Sequence, residues 1–262
     1  MAPYLRALSR TFRARARGAR ESNCRLVGLL AYTLRMDQAA YGIGVYSAPE
    51  AARMIGMRPG TLRRWLQGYV HGDKAEDRLW TPQYAHDDDG LLLGFRDLIE
   101  ARVVNALRAK GFGLPTIRIC IERARELVRD ERPFSTRQFK TDGKTIFLEI
   151  ARGLDDPDLV DLKRRQGVFR RVVEPSLDDL DFGDAGAERW WLLHGRKSIV
   201  ADPDIAFGAP TIAGSGITTA RVAQAVKAEG SIERTALIYE LKLRQVRDAL
   251  AYEEQLHARK AA

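Results

Sequence analysis

The chain of 262 residues is short of the residue types from which catalytic centres and metal cages are built. Its two cysteines, Cys24 and Cys120, are too few for a disulfide framework, so a reducing cytoplasm is the expected setting. Four histidines, at 71, 86, 194 and 257, stand at no metal-ligand spacing, and no metal is expected. Gly42-Ile-Gly44 lacks the preceding strand and the third glycine of a dinucleotide site, and no other glycine-rich loop could cradle phosphate. No Ser or Cys nucleophile is placed near a His, and no carboxylate pair suggests acid–base chemistry. Neither an enzyme nor a cofactor is expected. Apolar runs stop short of the ~18 residues that a membrane span needs, so no membrane partner is expected either.

Acid is nearly missing from one end. Residues 1–35 hold eight arginines against one acid, Glu21, and they account for almost all of the chain's net charge of +8. The overall charge therefore says little about the folded body, and a nucleic-acid partner has to be argued from local charge. The Arg-rich start could be a basic arm or a transit peptide, yet the first folding signal is only at Ser47. Residues 1–40 are expected to be a basic, disordered extension, with Met36 a candidate natural start. The rest has the length for two domains, and 45% apolar residues are enough for a core.

The first dense signal is YSAPEAARMIGMRPGTLRRWLQGY, Tyr46 to Tyr69. Ser47-Ala-Pro-Glu50 reads as a capping box, with Pro49 tolerated in the first turn. Ala51, Ala52 and Ile55 face inward, and Gly56 ends the helix. Pro59 opens a second helix with Leu62, Trp65 and Leu66 on one face, and Gly68 stops it. Its other face carries Gly60, Arg64 and Gln67, flanked by Thr61 and Arg63. Two short helices around a tight turn suit a helix-turn-helix whose second helix enters the major groove. A helical hairpin with a solvated arginine face is the plainer alternative. On the first reading Arg64 and Gln67 meet base edges, while Arg58, Thr61 and Arg63 hold phosphates or neighbouring bases. Arg78–Ala85 and Leu91–Phe95 are expected to pair as a wing around His86-Asp-Asp-Asp-Gly90, the aspartates being turn chemistry.

Helices are expected next at Arg96–Lys110 and Pro115–Asp130. Ile117, Cys120, Ile121, Ala124, Leu127 and Val128 form an apolar stripe on the second, which makes Cys120 core and the helix, together with the C-terminal helices, a candidate dimer surface. Residues 133–195 suggest a mixed, antiparallel connector, with extended pieces at Thr145–Ile150 and Trp190–His194 and a polar turn at Thr141-Asp-Gly-Lys144. Trp190 and Trp191 could be core or line a pocket. The last part predicts helices at Thr219–Glu229, Ser231–Tyr239 and Leu243–Ala258, a compact three-helix unit. The expected fold class is mainly α with small β elements. A winged helix-turn-helix spans 41–132, an α+β connector 133–195, and a three-helix, helix-turn-helix-like unit 196–262.

Ala51-Ala52, Leu62-Arg63-Arg64-Trp65 and Leu93-Gly-Phe-Arg-Asp-Leu98 give Tyr46–Glu126 a resemblance to the MerR-like winged helix-turn-helix. Ile199-Val-Ala-Asp-Pro203, Gly208-Ala-Pro-Thr-Ile212, Gly214-Ser-Gly-Ile-Thr-Thr219 and Val246-Arg-Asp-Ala-Leu-Ala-Tyr252 look like the domain of unknown function four-three-three, which occurs in antitoxins. Together they resemble a VapB-type antitoxin whose partner is a PIN-like ribonuclease. The chain departs from that pattern at Gly214-Ser-Gly216, where many relatives read Gly-Thr-Arg, and at Lys242, where no Ser or Thr caps the last helix. The resemblance implies a homodimeric, DNA-binding antitoxin that represses its own operon and masks the nuclease. A PIN-like nuclease has a carboxylate-lined mouth, which a held cation could block. The basic candidates are Lys163, Arg164, Arg165, Arg170 and Arg171, and Arg244, Arg247, Arg259 and Lys260 on the last helix. Residues from about 134 onward are thus expected to bind the toxin. A MerR-like regulator sensing a small-molecule ligand is the alternative.

Overall fold

Ser47 sets the start of the first helix among the described residues. In this computed structural model, which describes residues 43–71, 74–84, 90–152 and 173–261, it ends strand β1 (Tyr46–Ser47) and caps helix α1 (Ala48–Ile55). The Glu50 amide donates to Ser47 Oγ and the Ser47 amide donates back to Glu50 Oε2 at 3.0 Å, closing the capping box. Gly56, at φ 81°, ends the helix in the left-handed conformation and donates to the Ala52 and Arg53 carbonyls. Helix α2 (Pro59–Gln67) follows after three residues and buries Leu62, Trp65 and Leu66 beside Ala51 and Ala52. The basic extension, the aspartate turn and the Lys163–Arg171 cluster all lie outside the described residues.

A hairpin comes directly after α2, earlier in the chain than expected. Strands β2 (Tyr69–His71) and β3 (Lys74–Glu76) pair antiparallel, Tyr69 with Glu76 and His71 with Lys74. Gly68 makes this possible. It sits at φ 73°, and a Cβ there would meet the Glu76 carbonyl oxygen at 2.5 Å. The expected wing at Arg78–Phe95 is therefore corrected: the described part of Arg78–Ala85 holds no strand. The adjacent pair Leu79-Trp80 is buried, which an alternating strand cannot do with neighbours, and Pro82 has no amide to donate. Strand β4 (Leu92–Leu93) pairs with β1 instead.

Helices α3 (Phe95–Ala109) and α4 (Leu114–Val128) lie close to the expected spans. A second correction concerns Thr141–Ile150, expected as a turn and a strand. One helix, α5 (Arg137–Arg152), runs through it. Phe139, Gly143, Ile146 and Ile150 are buried at spacings of four, three and four residues, a helical period that outweighs the Asp-Gly turn signal. Helix α5 packs on α4, so the stripe of Ile117, Cys120, Ile121 and Ala124 is covered within the chain itself. Burial pushes the Cys120 thiol up to about 12, as for an inert core residue.

A short helix, α6 (Glu174–Asp178), leads into an antiparallel sheet of β5 (Leu180–Gly183), β6 (Gly186–Leu193), β7 (Arg196–Ala201) and β8 (Thr211–Ile212), in that order. Trp190 is buried; Trp191 is half-buried, its indole N–H donating to Asp181. The chain ends in α7 (Thr219–Glu229), α8 (Ile232–Ile238) and α9 (Leu243–Ala261). Thr218 and Ser231 cap the first two, and at α9 the Gln245 side chain accepts the Lys242 amide at 2.9 Å in place of a Ser or Thr cap. Ile212, Val222, Ala236, Val246, Ala249 and Tyr252 form a second cluster beside the main one, and Leu192 and Leu256 pack on both. Apolar packing thus runs on through positions 132/133 and 195/196. The fold is mostly helical with small sheets, and among the described residues no helix is long and apolar enough to cross a membrane.

Candidate nucleic-acid interface

The apolar and charged residues of α2 divide cleanly. Leu62, Trp65 and Leu66 face the core, while Arg63, Arg64 and Gln67 are exposed and Thr61 is half-buried. Arg58 is exposed at the N-cap position, its side chain making no hydrogen bond to the helix. The five candidate residues therefore lie on the outside of one helix and its leading turn. Nothing lies within 4 Å of where a Gly60 Cβ would be, so the first turn of α2 leaves room for a backbone to approach.

The hairpin stands next to this face. The Arg64 guanidinium lies 6.0 Å from the centre of the Tyr69 ring, and Val70 is 77% exposed. Arg118, on α4, holds the far strand: Nη1 donates to Glu76 Oε2 at 3.2 Å and Nη2 to the Asp77 carbonyl at 2.7 Å. Helix α4 thus fixes where the hairpin sits relative to α2. The sequence signal for the hairpin is His71-Gly72-Asp73-Lys74, with a Gly-Asp pair that is a weaker turn signal than the longer aspartate turn downstream.

Behind the helices lies a buried polar knot that was visible in the sequence only as part of Leu93–Leu98. Asp97 is fully buried and accepts from the Trp80 indole (3.1 Å), the Gln83 and Gly94 amides (2.6 and 3.0 Å) and Arg132 Nε (2.7 Å). Arg132 also donates to the Thr81 carbonyl, and Arg96 bridges Asp130 and Ser135. Glu100, one turn along α3, is buried and accepts the Ser135 amide at 2.8 Å. Loss of hydration pushes its carboxyl up to about 8, against a smaller opposing effect of that hydrogen bond. This knot pins the loop that carries Leu79 and Trp80, and the Leu79 amide donates in turn to the Trp65 carbonyl on α2.

The C-terminal candidates divide. Arg244 and Arg247 are exposed near the start of α9. Arg259 instead reaches the end of α1, donating to the Met54 and Arg53 carbonyls at 2.9 and 3.4 Å, a side-chain cap on the first helix. The Lys260 side chain lies outside the described residues.

Comparison with known proteins adds three findings. Residues 199–252 match the family described as Protein of unknown function (DUF433). A Mycobacterium tuberculosis protein named "Putative antitoxin VapB45" is 27% identical over 231 residues, covering 80% of this chain and 94% of that relative. The chain is also similar to the crystal structure of Rv2018 from Mycobacterium tuberculosis, with a TM-score of 0.64, 25% identity, and coverage of 78% of this chain and 96% of the other.

Proposed function

We propose that this chain is a DNA-binding antitoxin of a type II toxin–antitoxin pair, repressing its own operon and neutralising a PIN-like ribonuclease. The observation that carries the antitoxin reading is the likeness to a relative named as one, spread over 94% of that relative's length. The DNA-binding half of the reading is supported by the geometry of α1, its three-residue turn, α2 and the hairpin, which suits a MerR-like winged helix-turn-helix. In it α2 lies in the major groove. Arg64 and Gln67 meet base edges, Arg58, Thr61 and Arg63 hold phosphates or neighbouring bases, and the hairpin lies along the flank. One helix in one groove is a small interface, so the DNA-bound form is a homodimer reading two half-sites.

The test has two parts. Arg64→Ala and Gln67→Ala, combined in the full chain, should weaken operator binding by roughly 1–3 kcal/mol per base contact and relax the preferred base at those positions. Unchanged affinity in a folded double variant sinks the DNA assignment. Co-expression with the product of the adjacent reading frame should relieve that protein's toxicity and suppress its RNA cleavage. If the full chain inhibits nothing, the ligand-sensing regulator replaces the antitoxin.

A further inference from the structure

Seven large apolar residues are conspicuously exposed among the described residues, and three of them sit at one corner. Leu237 is 80% exposed and Ile238 55%, at the end of α8; Leu243, at 41%, is the first residue of α9. The turn between the two helices is tight, with the Leu241 amide donating to the Ala236 carbonyl at 2.9 Å. Aliphatic side chains held this far into water raise the free energy of the isolated chain, and a contiguous group with a polar rim marks a contact surface.

Charge says what covers it. Lys242, Arg244 and Arg247 flank the three aliphatic residues, are exposed, and form no ion pair within 4 Å among the described residues. The neighbouring acids are partly occupied: Glu229 faces Arg234 at 4.0 Å, and Glu233 accepts from the Ser231 hydroxyl at 3.0 Å while also feeling the Arg247 charge beyond ion-pair distance. Glu240 is the one acid between Leu237 and Arg247. The corner is therefore an aliphatic centre with a basic rim.

We infer that the α8–α9 corner docks an acidic protein surface, and, resting on the antitoxin reading above, that this surface belongs to the neutralised nuclease. An aliphatic centre inside a charged rim is how protein–protein contacts are built, and the matching rim on the partner is acidic. A second copy of this chain fits poorly, because a twofold contact would set the basic rim against itself. DNA fits poorly too, since base edges offer apolar contact only at thymine methyls. Arg244 and Arg247 steer the encounter and fix its register, while Leu237 and Ile238 supply the anchors.

Two full-length variants test this, Leu237→Asp combined with Ile238→Asp, and Arg244→Glu combined with Arg247→Glu. The probe is the purified product of the adjacent reading frame, with operator DNA titrated in parallel. The wild-type chain is measured first: if it does not bind that protein, the antitoxin reading itself fails. Given wild-type binding, each variant should lose about tenfold or more in affinity for the partner protein, with operator affinity, oligomeric state and Tm unchanged. Unchanged partner affinity in both variants overturns the inference. So does a loss confined to operator binding, which assigns the corner to DNA, or a shift towards monomer, which assigns it to a second copy. A Tm lowered by several degrees in the aspartate variant overturns it as well, because the corner is then covered by the chain's own residues.

Discussion

Glu100 has a neighbour for its charge, Arg96, and a hydrogen bond from Ser135, and still burial pushes its carboxyl up to about 8. The consequence for stability has a definite sign. Between the ordinary carboxyl value of about 4.5 and about 8, the unfolded chain has lost this proton while the folded chain keeps it. Stability from this group is therefore full below about 4.5 and falls as pH rises, levelling off above 8. Glu100→Gln keeps an acceptor for the Ser135 amide and cannot ionise, so urea denaturation across pH 5–9 should show that slope flattened and the variant the more stable at pH 9. An unaltered pH dependence would mean that Glu100 is ionised in the fold. Asp97 is the other buried acid of α3, and four donors surround it. Asp97→Ala takes this acceptor from Arg132 Nε, the Trp80 indole and two amides, and loss of one partner from a buried pair costs about 3–5 kcal/mol. Chemical denaturation reads it directly; a cost below about 1 kcal/mol would show that water replaces the carboxylate.

Elements framed by local chemistry were legible before the fold was. Helix α1 is announced by Ser47, Glu50 and Gly56, and α2 by Pro59 and Gly68, and each begins and ends where those residues put it. The outer face of α2 was legible for the same reason, since a helical period decides which side an arginine takes. The hairpin and α5 were not, because in both places a strong turn dipeptide, Asp-Gly, competed with a weaker periodic signal. In α5 tertiary burial of Phe139, Ile146 and Ile150 against α4 decided the matter, and nothing local to residues 141–144 reports it. The Asp97–Arg132 contact spans 35 residues and was illegible for the same cause. Gly68 tests the hairpin assignment. Its φ of 73° and the 2.5 Å approach to the Glu76 carbonyl leave no place for a methyl group, so Gly68→Ala should cost at least ~1 kcal/mol and displace the hairpin. Hydrogen exchange in β2 and β3 should speed up while Leu62 and Trp65 stay protected. Intact protection in both strands would show that the hairpin shifts to accept the methyl.

Helix α1 depends at both ends on parts of the chain far away in sequence: β1 before it pairs with β4, and Arg259 caps its last carbonyls from α9. The Tyr46 hydroxyl donates to the Gly208 carbonyl at 2.9 Å, and the Val45 amide to the Phe207 carbonyl. Through these contacts the arginine-bearing helix pair and the C-terminal unit hold one another in place. The proposed toxin-binding half beginning near residue 134 is therefore not expected to fold as a free-standing piece. Cut there, Phe139, Ile146 and Ile150 lose the α4 face that covers them, Val173 and Leu177 lose their place in the main core, and Arg259 loses the carbonyls it caps. A fragment of residues 134–262 should show helical circular dichroism without a cooperative thermal transition, and bind hydrophobic dye where the full chain does not. The proposed division of labour between DNA and partner protein is accordingly tested by surface substitutions in the whole chain. A cooperative transition in the fragment, near the Tm of the full chain, would show that the C-terminal part carries its own core and that the packing across residue 133 adds little.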